Sequence, residues 1–239
     1  MARKATAPAK PRKGSYWAAS RSLAASYVFV TPLFAVYQVG LFFDEGVRNG
    51  LGPILEDLFQ RFSHLGLVVL NVFVLGLLLL AIYRSRSRLG DRRGLYGAMF
   101  AEAVAWTVVM LLFARFVVPP ILERALALAP QLQRPIAYIG AGIYEEVFFR
   151  FFVLGGLVLV LHRGLGGQRI WVVPVAIVGS ALLFSWAHHS IGGQTFTWEV
   201  FVYRALMGVV LGCIYIERGL GIVVYSHALY NVALLYVDP

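Results

Sequence analysis

Seven apolar runs limit what this chain can become before any other feature does. They lie at 22–43, 65–83, 95–119, 136–161, 170–187, 200–216 and 220–237. Each is close to the roughly 20 residues that an α-helix needs to cross a hydrocarbon core about 30 Å thick. Composition agrees, with 59% hydrophobic and only 14% charged residues, outside the range of soluble domains. The expected fold is all-α: a polytopic membrane helix bundle of about seven transmembrane helices. A short amphipathic helix is expected at 51–62, LGPILEDLFQRF, where Leu51, Ile54, Leu55, Leu58, Phe59 and Phe62 recur at helical spacing. Residues 1–21 read as a basic, disordered tail. The run after it is longer than a signal-peptide core and is expected to stay as an anchor.

The fourth run contains AGIYEEVFFRFF, residues 141–152, which puts two carboxylates and a guanidinium where lipid should be. An ionised side chain near the bilayer centre costs at least roughly 2.5 to 3.5 kcal/mol on insertion scales. Three within six positions point to a functional site, the alternative being a polar network that only holds helices together. On a helix Glu146 and Arg150 stand at i, i+4 and can pair, whereas Glu145 faces another azimuth and is left free.

Two further clusters follow. The fifth run ends in FSWAHHS, with Phe184, His188 and His189, and the seventh contains SHALYN, with His227 and Asn231 one turn apart. Taken singly, the first could be interfacial and solvated, and the second could be hydrogen-bonding glue between helices. Depth argues for a shared site. Glu145 lies nine residues below Ile136, roughly 13 Å along a helix. Asn231 and His227 lie six and ten residues from Val237, roughly 9 and 15 Å. With seven spans all of these fall in one half of the membrane, the half that His188 closes.

Orientation follows from the basic residues. Fourteen of the 21 fall on the side of the tail, four on the other, and Arg115, Arg150 and Arg204 lie within spans. The bias predicts a cytoplasmic N-terminus and a site toward the non-cytoplasmic half of a cell membrane. The net charge of +9 is explained by the same bias, so no nucleic-acid partner is expected; the partners are the lipid bilayer and a membrane-associated substrate. Cys213 is the only cysteine, which excludes an intrachain disulfide, and no CxxC, HExxH or P-loop pattern occurs. Glu102 and Arg115 share the third run, as a structural pair, a snorkelling end or part of a cavity lining.

The chemistry that fits is water activation beside a carbonyl. Glu145, withdrawn from bulk solvent, can take a proton from water and return it to a leaving amine, with His188 sharing the water. His227 and Asn231 can supply donors to a developing oxyanion. No serine or cysteine carries a signature tying it to a base.

EEVFFR, FSWAH and HALYN resemble the EExxxR, FxxxH and HxxxN motifs of the CPBP family. These are the CAAX proteases and bacteriocin-processing enzymes, also called Abi, and they include glutamate-type prenyl-protein endopeptidases. The resemblance covers roughly 136–236. It divides the chain into the tail at 1–21, N-terminal membrane helices with the amphipathic loop at 22–135, and a catalytic core at 136–239. It implies an intramembrane endopeptidase without a cofactor: Glu145 and His188 activating water, His227 and Asn231 forming the oxyanion hole, Glu146 with Arg150 shaping the site. His189 is not a motif position. Processing of prenylated proteins needs a cytoplasmic site, so the charge count departs from the family pattern and points to exported substrates. The competing functions are a catalytically silent membrane scaffold or immunity protein, and a zinc-dependent hydrolase with Glu145, His188 and His227 as ligands. A transporter finds no inverted repeat to support it.

Overall fold

The computed structural model describes residues 15–43, 93–117, 135–190 and 196–236, with isolated helical positions between 72 and 83. The expected amphipathic helix at 51–62 and most of the second run lie outside the described residues, as does the tail up to residue 14. Every described element is helical: α1 (Tyr16–Ser20), α2 (Leu23–Phe43), α3 (Arg93–Val117), α4 (Pro135–Glu145), a π-helical stretch π1 (Glu146–Leu154), α5 (Gly155–Leu159), π2 (Val160–Gly164), α6 (Arg169–Ser190), α7 (Trp198–Arg218) and α8 (Leu220–Leu234).

Four described helices are long and apolar enough to cross a membrane: α2 over Leu23–Gly40, α3 over Gly94–Phe116, α6 and α7. The seventh run forms the shorter apolar α8. The fourth forms a continuous helical rod from 135 to 164, broken twice into π turns. That interruption is why it does not count as one long α-helix.

Helix α8 is the axis of the bundle. Residues 220–228 are all buried, which is what a helix apolar all round requires. It packs against α2, α3, α4, α7 and π1. Small residues permit the close approaches, as is usual between membrane helices. A Cβ on Gly142 of α4 would lie 2.7 Å from Ala228 Cα, and one on Gly221 would lie 2.9 Å from Ser26 Cα. The reversal from α7 into α8 turns on Gly219, whose φ of 82° only glycine adopts without strain.

Helices α6 and α7 run antiparallel, with Ser185 Oγ donating to Phe201 O at 2.7 Å. At the other end of α7, Arg21, just after α1, donates to Ile216 O at 2.7 Å. The end of the bundle that carries α1 is therefore opposite the end where α6 passes into α7. Exposed Trp17 and Trp171 ring the first end, and exposed Trp198 and Tyr236 the second, as aromatic side chains do at membrane interfaces.

Candidate active site

The rod at 135–164 presents one stripe inward. Gly142, Glu145, Glu146, Phe149, Arg150 and Leu154 are buried, while Phe148 and Phe152 face outward. The change from α to π winding falls between the two glutamates: Gly155 N–H bonds to Arg150 O five residues back. Such widened turns collect at functional sites. Both carboxylates thereby enter the interior, against α6, α7 and α8.

Glu145 faces two imidazoles. Its Oε1 lies 3.4 Å from His188 Nε2 and its Oε2 lies 3.9 Å from His227 Nε2. Glu146 receives His227 Nδ1 at 2.7 Å. On its other side Glu146 Oε2 lies 3.2 Å from Arg150 Nε, with both side chains fully buried. Neither of those two atoms has a hydrogen-bond partner, so the contact is an ion pair without N–H alignment. Arg150 also donates through Nη2 to Gly208 O at 3.4 Å and lies over the Phe184 ring at 4.8 Å. That ring meets Phe149 at 5.2 Å and His188 at 4.8 Å, edge on. Phe184 is thus the apolar wedge between the guanidinium and the imidazole.

The partners fix where the protons sit. His188 Nδ1 lies 2.8 Å from Phe184 O. A carbonyl can only accept, so Nδ1 carries the hydrogen and Nε2 of the neutral ring is a bare acceptor. His227 Nδ1 likewise donates to the Glu146 carboxylate. Its Nε2 is a donor only when the ring is an imidazolium.

Glu145, Glu146, Arg150, His188 and His227 are therefore brought together from three segments. Asn231 follows His227 by one turn on α8 and is half-buried, but the hydrogen bonds and ion pairs joining the other five do not include it. His189 packs against Phe196 and Phe201. Sequence reasoning assigned no role to Arg204, whose charge acts on Glu145. The signal was present: an arginine within a span and without a carboxylate three or four positions away. Among the described residues no group of three or more His, Cys, Asp or Glu side chains is placed to hold a metal ion.

A second polar cluster occupies the α1 end. Glu102 of α3 pairs with Arg218 of α7 through Arg218 Nε and, at 2.7 Å, Nη2, so the partner of Glu102 is not Arg115. Tyr16 donates to Glu102 Oε2 and Trp106 to Oε1 at 3.3 Å. Ser20 accepts from Arg218 Nη2 at 3.0 Å, and the Trp17 ring lies 3.6 Å from the guanidinium carbon.

Residues 105–233 match the family model described as type II CAAX prenyl endopeptidase Rce1-like. The match spans more than half of the 239 residues, from within α3 to the end of α8, and contains both glutamates and all three motifs. The chain belongs to this family, which is one of proteases. The matched region begins some thirty residues before the motif-bearing segment and takes in most of α3. No curated protein and no solved structure matches the chain.

Proposed function

We propose that the chain is an intramembrane endopeptidase of the glutamic type, hydrolysing a peptide bond of a membrane-associated or lipid-anchored protein or peptide. One observation carries the reading: His188 Nε2 stands 3.4 Å from Oε1 of the buried Glu145. With His188 neutral and donating through Nδ1, both atoms accept, and a water molecule beside the pair can donate to each. Its oxygen attacks the substrate carbonyl carbon while Glu145 takes its proton. The negative charge moves to the carbonyl oxygen, where the His227 imidazolium Nε2–H and the Asn231 amide N–H donate to it. Glu145 then passes the proton to the amine nitrogen as the C–N bond breaks, leaving a carboxylic acid, which loses its proton to solvent, and a free amine. Glu146, itself paired with Arg150, holds the His227 ring through Nδ1.

The site lies toward the end of the bundle opposite α1, so a cytoplasmic tail implies a site in the non-cytoplasmic half of the cell membrane. Substrates are then exported tails or anchored peptides. The test compares all protein termini in membranes from cells expressing wild type or Glu145→Ala. Fragments that depend on Glu145 are expected, with cleavage sites on the non-cytoplasmic side. Unchanged termini, with a phenotype remaining on deletion of the whole protein, would favour the silent-scaffold reading.

A further inference from the structure

Arg204 is the charged group near Glu145 that the reaction just described does not use. It sits on α7 one turn before Gly208. A Cβ on Gly208 would lie 3.0 Å from Ala181 and 3.4 Å from Phe184, and Phe201 O is held by Ser185. In that antiparallel register Arg204 falls beside Ser185 of α6, one turn before His188. Its charge reaches Glu145, yet its Nη1 is buried and has no hydrogen-bond partner among the described residues.

The residue is also partly accessible. Arg204 and His188 are partly exposed, whereas Glu145, Glu146 and Arg150 are buried. Leaving a guanidinium N–H buried and unpaired is costly, and the planar fork of arginine suits a carboxylate. Charge points the same way. Glu146 is answered by Arg150, so a substrate carboxylate entering beside Glu145 would be repelled by it unless a further cation received it.

We propose that Arg204 receives a carboxylate of the peptide substrate and so selects which bond meets Glu145. The proposal rests on the endopeptidase reading. A carboxylate can come from the peptide's free C-terminus or from an acidic side chain beside the cleaved bond; the chemistry at Arg204 is the same.

The test uses the purified full chain in detergent and a randomised peptide pool, synthesised once as C-terminal acids and once as amides, with cleavage read by mass spectrometry. Wild type is expected to prefer carboxylate-bearing peptides by roughly tenfold or more, the contribution of one hydrogen bond to a charged group. In Arg204→Gln the preference falls to near one, through KM; Arg204→Lys retains part of it. A preference that follows the terminus identifies the C-terminal carboxylate, and one that follows Asp or Glu within the pool identifies the side chain. An equal fall for acids and amides in Arg204→Gln, with the preference kept, overturns the proposal and makes Arg204 a support for Glu145.

Binding of the same peptides to Glu145→Gln, read by fluorescence polarisation, separates this proposal from the reading beneath it. Tighter binding of carboxylate-bearing peptides that disappears on adding Arg204→Gln sustains the role of Arg204 even if wild type cleaves nothing, an outcome that would sink the endopeptidase. Binding that depends on neither the terminal carboxylate nor an Asp or Glu in the peptide overturns the role of Arg204 whatever the turnover.

Discussion

Two polar clusters sit inside the same apolar bundle, and they differ in how completely their charges are met. Around Glu102 and Arg218 both carboxylate oxygens accept hydrogen bonds, from arginine, tyrosine and tryptophan, and the guanidinium leaves only Nη1 unpaired. Around Glu145 and Glu146 there are two carboxylates, and the Arg150 pairing leaves Nε, Nη1 and Glu146 Oε2 without hydrogen bonds. The first arrangement has satisfied itself and binds α1, α3 and α7 together. The second leaves the Arg150–Glu146 pair short of hydrogen bonds, which is costly in a dry interior. On the proposed reading, it is incomplete hydrogen bonding rather than charge alone that sets the catalytic cluster apart.

The largest effect should come from removing the facing acceptors. Alanine at Glu145 or at His188 is expected to lower turnover by roughly 10² to 10⁴, the span that general acid–base groups contribute, while the melting temperature in detergent stays near wild type. Wild-type turnover by either variant would erase the contrast between the clusters.

Glu146→Ala is expected to act on both readouts. It leaves Arg150 buried without its counter-charge, which costs roughly 3 to 5 kcal/mol, and frees His227 from its anchor. An unchanged melting temperature would show that Arg150 finds another partner.

A paired glycine experiment sharpens the comparison at a smaller scale. Alanine at Gly142 or Gly221 should cost roughly 1 to 3 kcal/mol by overpacking α8. Only Gly142→Ala should also lower kcat, because it parts α4 from α8 next to His227 and Glu146. Equal kcat in the two variants would show that the site tolerates the shift.

The smallest effect is one of pH at the satisfied cluster. Burial, helped by the hydrogen bond to Glu102, pushes the Tyr16 phenol up to about 12. A group whose folded pKa is raised stabilises below its unfolded value and loses that contribution as pH climbs through the folded one. Between pH of about 10 and about 12 wild type should thus lose more stability than Tyr16→Phe in a detergent titration. Parallel losses would remove Tyr16 from the cluster's energetics.

Much of the site was legible because charge in an apolar run is conspicuous. The i, i+4 spacing of Glu146 and Arg150 was enough to foresee their contact, and the motifs brought Glu145, His188 and His227 to one place. What the spacing could not supply was His227's orientation. Turning Nδ1 onto Glu146 depends on the close α4–α8 crossing at Gly142, a contact between segments some 85 residues apart. The same limit hid the partner of Glu102: Arg115 is near in sequence, but Arg218 arrives only when α7 packs. The π winding at Glu146 has no sequence signal that we can name. It is also why the fourth run, read as one span, forms an interrupted rod.

The most direct measurement sets Glu145→Gln beside Glu102→Gln and determines kcat and melting temperature for both. If incomplete pairing marks the chemistry, Glu145→Gln melts like wild type and turns over no substrate, whereas Glu102→Gln melts lower and keeps its turnover per folded molecule. Cleavage that survives Glu145→Gln would contradict the central claim, and the water-activating role would have to be sought elsewhere in the bundle.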